Sequence, residues 1–99
     1  MTESFGDRVG RWFDDRRLTE NSNPAKQMRK LLEEVGELAG AIANNDEAEF
    51  KDAVGDCAVV LAGMARMMGM TFEECCESAW AEIKDRKGYL DSNGVFVKE

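Results

Sequence analysis

The apolar positions of the chain recur at helical spacing. Val9, Trp12 and Phe13 lie on one side of a short amphipathic helix predicted over residues 9–17. A longer helix is predicted over residues 24–44.

The second predicted helix has a clear start and a regular apolar stripe. Asn23 precedes Pro24, and this order favours a helix start because asparagine caps helices and proline suits the first helical position. Its apolar residues recur at intervals of four, three and four, and we expect them to form the buried stripe: Leu31, Val35, Leu38 and Ile42.

Two further helices are predicted from capping signals. A third helix, over residues 46–68, begins where Asp46 and Glu49 have the spacing of a capping box. A fourth helix, over residues 72–87, begins in the same way after Thr71.

Together these helices predict an all-α fold, an antiparallel bundle of about four helices in a single domain, residues 1–99. Residues 1–8 are weakly patterned, and we expect them to be flexible. Residues 88–99 form a turn-rich C-terminal tail. A chain of 99 residues buries a modest core, so we expect oligomerisation to complete the bundle.

The composition of the chain excludes several classes of binding and catalytic function. The formal net charge is −7, which argues against binding a nucleic-acid polymer. The chain has no histidine, which excludes Ser-His-Asp and Cys-His catalysis and histidine-bearing zinc sites. Three cysteines, an odd number, do not make a disulfide framework and favour a reducing compartment.

No membrane segment is expected. The N-terminus has no basic stretch followed by an apolar one, as a signal peptide would. The apolar run over residues 53–70 is interrupted by Asp56 and Arg66, so we expect a buried helix with no membrane partner. A cytoplasmic location follows by default.

Two acidic clusters lie on the second and third predicted helices. Glu33, Glu34 and Glu37 form one cluster, and Asp52 and Asp56 form the other. A short turn between the helices predicts an antiparallel hairpin in which the clusters meet. Converging carboxylates repel unless a cation lies among them, and oxygen ligands suit magnesium, manganese or calcium. The alternatives are a solvated glutamate face and an arginine paired with the aspartate.

The fourth predicted helix ends in a basic cluster, Lys84, Arg86 and Lys87. Basic residues in a last turn interact favourably with the helix dipole. The same residues are also suited to holding phosphate groups. The spacing of these residues alone does not decide between the two interpretations.

The motifs resemble those of the MazG-like, all-α nucleotide pyrophosphohydrolases, above all the small members found in bacteriophages. The family's EExxE motif is intact in Glu33, Glu34 and Glu37. Its second acidic motif keeps the glycine before Asp56 but has Ala53 in place of the usual glutamate. The endings EIKDRKG and GVFVKE extend the resemblance over most of the chain.

The resemblance implies hydrolysis of a ribo- or deoxyribonucleoside triphosphate to the monophosphate and pyrophosphate, in a homodimer or homotetramer. It implies a Mg²⁺ site, with Mn²⁺ as the alternative ion, whose ligands are Glu34, Glu37, Asp52 and Asp56. Asp52 is the natural substitute for the missing glutamate, and Glu33 is the candidate catalytic base. The candidate substrate-binding residues are Gln27, Lys30, Trp80, Lys84, Arg86 and Lys87.

Three rival functions remain. The least favoured is a calcium-binding protein, because no EF-hand loop with its spaced aspartates and glycine is present. A nucleotide-binding sensor would bind triphosphates without turnover. A helical dimerisation or regulatory module would use the apolar stripes and would not be stabilised by magnesium.

Overall fold

The computed structural model describes residues 2–99 as five helices followed by a small β-hairpin. Met1, part of the segment expected to be flexible, lies outside the described residues. The elements are α1 (Phe5–Asp15), α2 (Leu18–Asn21), α3 (Pro24–Ala43), α4 (Glu47–Met67), α5 (Phe72–Ile83), β1 (Gly88–Leu90) and β2 (Phe96–Lys98). The all-α class is confirmed. The hairpin in the C-terminal tail pairs Tyr89 with Val97 in an antiparallel register.

Helix α1 begins four residues before the predicted start, because Ser4 caps it. The Ser4 hydroxyl accepts a hydrogen bond from the Asp7 backbone N–H at 3.0 Å, and the Asp7 carboxylate accepts one from the Ser4 backbone N–H at 3.4 Å. Glu73 of α5 also accepts hydrogen bonds from the Ser4 hydroxyl and the Gly6 N–H, both at 3.1 Å. Residues 5–8 are therefore helical and tied to α5.

Helix α1 packs on the middle of α4. Val9, Phe13 and Ala62 form the buried core cluster of this contact. The ring of Phe13 lies directly over Gly63, where a side chain would overlap it. The absence of a side chain at Gly63 is what lets the two helices come this close.

Helices α3 and α4 form the αα-hairpin that the sequence predicts. Asn45 adopts the left-handed conformation at the turn, with φ of 52°. The Asp46 carboxylate then caps α4 by accepting a hydrogen bond from the Glu49 N–H at 3.1 Å. Two small residues, Ala41 of α3 and Ala53 of α4, are buried, which is consistent with a close approach of the helices.

The predicted apolar stripe of α3 is only partly correct. Leu31 and Leu38 are half-buried, but Val35 is 47% exposed and Ile42 is 59% exposed. The buried residues of α3 include Glu34, because α4 packs on the polar edge of the predicted stripe. In a single chain, the rest of the stripe therefore faces outward.

The C-terminal part of the chain projects from the helical body. Helix α5 is bent by 104° relative to α4, and every residue from 74 to 90 is exposed. The radius of gyration is 15.9 Å, whereas a compact domain of this size has about 13 Å. We call residues 74–99 the C-terminal arm. No single helix within residues 2–99 is long and apolar enough to cross a bilayer; only the bent pair of α4 and α5 reaches such a length and composition together.

Candidate metal centre

Three carboxylates from the α3–α4 hairpin converge on one point. Glu34 and Glu37 of α3 and Asp56 of α4 each place one oxygen within 4.8 Å of the other two. The two glutamates are neighbours because residues three apart share a helix face. The aspartate joins them because the turn folds α4 back along α3. We call this group the carboxylate cluster.

Glu34 is the buried member of the carboxylate cluster, with 5% of its surface exposed. Its Oε1 atom lies 3.2 Å from the ammonium group of Lys30, one helical turn earlier. Its Oε2 atom is buried and has no hydrogen-bond partner among the described residues. An unsatisfied buried acceptor costs about 1–3 kcal/mol, and more when it is charged. A cation in the cluster would remove that cost.

The charges of the cluster are poorly balanced. The adjacent Glu34 carboxyl, through hydrogen bonding and through its negative charge, raises the pKa of Glu37. Burial and the negative charge of Glu49 raise it further, and Lys30 opposes them. A proton shared between the two carboxyls, or a bound cation, would give Glu34 Oε2 a partner. The residues therefore suit a positive ion.

The donor set fits magnesium. Magnesium takes oxygen ligands, and opposite ligands lie roughly 4.2 Å apart, twice the usual bond length. The spacing of up to 4.8 Å in the carboxylate cluster needs only small side-chain rotations to match. Magnesium also keeps several waters in most protein sites, so three carboxylates are enough to hold it.

Two predicted site residues lie outside the carboxylate cluster. Asp52 is exposed and does not share the point where the other three carboxylates meet. Glu33 is also exposed, with its Oε2 atom 3.8 Å from the Lys30 ammonium group. Ala53, in the position where the resemblance expects a glutamate, is fully buried.

Glu49 is a residue near the site that the sequence analysis treated only as part of a cap. Its charge contributes to the raised pKa of Glu37, so it lies close to the cluster. The signal was present in the spacing, since Glu49 and Asp56 are seven residues apart on one face of α4.

The predicted substrate-binding residues fall into two groups. Gln27 and Lys30 lie on α3, and the Gln27 amide donates a hydrogen bond to the Ser22 hydroxyl at 3.1 Å. The others are exposed and belong to the C-terminal arm, whose helix α5 contacts α4 and α1 but not α3. The arm residues are Trp80, Lys84, Arg86 and Lys87. Within one chain, the structure does not bring them to the carboxylate cluster.

Residues 22–90 match the model of a protein family described as the MazG nucleotide pyrophosphohydrolase domain. The matched segment contains α3, α4 and α5, and with them all three carboxylates of the cluster. It also contains the basic residues that follow α5.

Two viral proteins are similar to the chain. An uncharacterized 18.2 kDa protein from the rep-hol intergenic region of Haemophilus phage HP1 is 45% identical over 58 residues, which are 59% of this chain and 36% of that protein. An uncharacterized protein of Acanthamoeba polyphaga mimivirus is 34% identical over 74 residues, 74% of this chain and 30% of that protein. The chain spans about a third of the length of these curated relatives. No solved structure shows significant similarity to it.

Proposed function

Because the chain belongs to the MazG nucleotide pyrophosphohydrolase family, we propose that it hydrolyses a ribo- or deoxyribonucleoside triphosphate to the monophosphate and pyrophosphate in a Mg²⁺-dependent reaction. The observation that carries this proposal is the convergence of Glu34, Glu37 and Asp56. The unpartnered, buried oxygen of Glu34 points to a cation as the missing partner.

Glu34, Glu37 and Asp56 would hold Mg²⁺, with Mn²⁺ as the alternative ion. When bound, the ion supplies a Lewis acid that neutralises phosphate charge and acidifies water. The carboxylates orient it from two helices, and the turn between those helices fixes their separation. The triphosphate then approaches from the open side of the cluster, where Glu37 and Asp56 are exposed.

Lys30 and Glu33 lie at the edge of the carboxylate cluster and supply the remaining chemistry. The Lys30 ammonium group, 3.2 Å from Glu34 and 3.8 Å from Glu33, offers a positive charge to an incoming phosphate group. Glu33 is exposed and is not a member of the cluster. Its carboxylate, beside Lys30, would accept a proton from the attacking water and so act as the general base.

The proposal includes a homodimer or homotetramer. Apolar side chains remain exposed along both helices of the hairpin, among them Leu32, Val35 and Ile42 of α3 and Val54 and Leu61 of α4. An apolar surface of this extent marks an interaction site in proteins of this size. A second copy of the chain would cover it, and the arm of that copy would bring Lys84, Arg86 and Lys87 to the phosphates.

The test is pyrophosphate release from a panel of ribo- and deoxyribonucleoside triphosphates with Mg²⁺. Glu37→Gln and Asp56→Asn should each lower the rate by about a hundredfold or more, because each removes a metal ligand while keeping its shape. Glu77→Gln, an equivalent change on the exposed surface of α5, is the matched control.

No release from any triphosphate by the natural chain would overturn the hydrolase proposal. If that chain still bound nucleotide in equilibrium dialysis, the binding-only sensor would replace it. The buried Ala53, where the resemblance expects a carboxylate, is the observation that favours this second candidate.

A further inference from the structure

An apolar groove lies between α1 and α4. Its volume is about 410 Å³, and it is lined by Phe5, Arg8, Val9 and Trp12 of α1 and Val59 of α4. Small-molecule pockets typically measure about 300–1,000 Å³ and are mostly apolar with a few polar groups. The groove matches this description, with Arg8 as its charged member.

The groove reaches to within one helical turn of the carboxylate cluster along α4. Val59 follows Asp56 by three residues on α4, so their Cβ atoms are neighbours, about 5–6 Å apart on the helix surface. Asp56 faces the glutamates of α3, whereas Val59 packs against the core cluster formed with α1. One turn of α4 therefore joins the two sites, and a ligand held at Asp56 can extend into the groove.

Trp12 gives the groove a flat aromatic wall. It is 45% exposed, although α1 packs its neighbour Phe13 into the core. The Arg16 guanidinium lies over the indole ring, 4.2 Å from its centroid. This cation–π contact holds the ring in place. An indole that is fixed and partly open to solvent is suited to stack on a planar ligand.

Arg8 adds an available positive charge to the groove wall. It is exposed, and the ion pairs within residues 2–99 do not include it. A guanidinium beside an aromatic surface can donate hydrogen bonds to the carbonyl oxygens of a base or the hydroxyls of a sugar. The groove therefore combines stacking, apolar contact and hydrogen-bond donation.

We propose that this groove binds the base of the nucleotide, which stacks on Trp12 while the phosphates lie at the carboxylate cluster. The proposal rests on the proposed function for the nature of its ligand. It assigns base stacking to Trp12 and not to Trp80, which is 56% exposed on the C-terminal arm and is not brought to the cluster by its own chain.

The chain has two tryptophans, so two single-tryptophan proteins test the assignment. Trp80→Phe leaves Trp12 as the only fluorophore, and Trp12→Phe leaves Trp80 as the matched control. Each is titrated with nucleoside α,β-methylene triphosphates, which cannot be split between the α and β phosphorus atoms. We expect saturable quenching of Trp12 by the nucleotides and none by inorganic tripolyphosphate, which has no base. Trp80 lies four residues before Lys84 on the arm, so any quenching of Trp80 should be the same with tripolyphosphate as with nucleotide.

Steady-state kinetics give a second measurement. Trp12→Leu should raise KM about tenfold, as expected for a lost base–aromatic stack, with kcat within about twofold because stacking is equal in the ground and transition states. Trp12→Phe, which keeps an aromatic ring, should recover most of the natural KM. A loss of packing alone would lower kcat and the Tm as well, so an unchanged kcat separates the two causes.

Each outcome decides the proposal separately from the hydrolase proposal. Absence of Trp12 quenching in a protein that hydrolyses triphosphates would overturn the groove assignment and leave hydrolysis standing. Equal quenching of Trp12 by tripolyphosphate would also overturn it, since the signal would then not report the base. A Trp12 signal that changes with protein concentration and not with nucleotide would overturn it as well, since a second copy would then occupy the groove. Nucleotide-specific quenching without pyrophosphate release would support the groove while the hydrolase proposal fails.

Discussion

The Lys30 ammonium group lies 3.2 Å from Glu34 Oε1, while the other oxygen of the same carboxylate is buried without a partner. Lys30 is therefore one positive charge facing three converging carboxylates. The ion pair raises the pKa of Lys30, chiefly through its hydrogen bond with Glu34, so the lysine stays charged. Because excess negative charge remains, the stability of the fold should depend on bound cations.

The first prediction concerns Glu37→Gln and thermal stability. Without divalent cations at pH 7, the variant should melt a few degrees higher than the natural protein, because the carboxyl with the raised pKa is no longer forced to ionise. Magnesium at about 100 times its dissociation constant should stabilise the natural protein by about 2.7 kcal/mol. For a domain of this size the Tm would rise by roughly 10–20 °C.

Differential scanning fluorimetry with EDTA or Mg²⁺ measures both effects. The magnesium shift should be small in Glu37→Gln and full in the Glu77→Gln control. Equal magnesium shifts in all three proteins would show that the ion binds outside the carboxylate cluster.

The second prediction concerns the pH dependence of the α1–α4 contact. Arg66 Nη2 lies 2.5 Å from Asp14 Oδ2, and the Thr19 hydroxyl donates to Asp14 Oδ1 at 2.6 Å. The Arg66 hydrogen bond, followed by the Thr19 bond, lowers the pKa of Asp14 below its usual 3.8. A lowered folded-state pKa contributes stability above the unfolded value, and that stability is lost as the pH falls through the folded value.

Asp14→Asn should therefore lower the Tm by a few degrees at pH 7. The difference from the natural protein should shrink as the pH falls below 3.8. Asp15→Asn, at the neighbouring exposed position on α1, is the control and should have the same Tm as the natural protein. A Tm difference for Asp14→Asn that persists unchanged down to pH 2 would contradict the assignment.

The third prediction concerns Gly63→Ala. A methyl group at this position would overlap the ring of Phe13, which is part of the core. Overpacking of this kind costs about 1–3 kcal/mol. Gly36→Ala meets open space in the structure and should stabilise its helix by about 0.5–1 kcal/mol.

Urea denaturation of the two variants provides the comparison. A Gly63→Ala variant as stable as Gly36→Ala would contradict the close packing of α1 on α4 at this position. Combining Gly63→Ala with Phe13→Ala should cost less than the sum of the single changes, because the truncated side chain leaves room for the methyl group.

The fourth prediction concerns the C-terminal arm. If Lys84 and Arg86 reach the site of a second copy, a Lys84→Ala/Arg86→Ala variant should be nearly inactive, and so should Glu37→Gln. Equal mixing with subunit exchange should recover about a quarter of the natural activity, because half of all dimers then combine the two variants and each of those has one intact site. Activity measured before and after exchange checks this. An inactive mixture in which exchange is demonstrated would place the basic residues in their own chain's site, and a Lys84→Ala/Arg86→Ala variant with natural activity would place them outside the chemistry.

The starts of α3, α4 and α5 followed from the sequence alone, whereas α2 was not predicted and α5 ends at Ile83, four residues before the predicted end. Three helices start where the sequence predicts: α3 at Asn23 with Pro24, α4 after Asp46, and α5 after Thr71 with Glu74. Their capping bonds reach three residues along the chain, so local spacing determines them. The earlier start of α1 depends on the same kind of bond at Ser4, which the sequence analysis did not use.

Two of the three carboxylates of the cluster were also readable from the sequence. Glu34 and Glu37 share a face of α3 whatever that helix packs against, since helical geometry fixes their relation. Whether Asp52 or Asp56 meets them depends on the rotation of α4 about its own axis. That rotation is consistent with the burial of Ala53 at 0% exposure, which turns Asp56 toward the glutamates and leaves Asp52 exposed.

The tertiary structure alone decided which side of each helix is buried. The spacing of Val35 and Ile42 predicts an apolar stripe but does not say what the stripe faces, and α4 packs on the Glu34 side instead. In the same way, only the docking of α1 places Trp12 near Val59. Capping and periodicity act within one or two turns of the chain, whereas helix rotation reflects the summed packing of residues far apart in sequence.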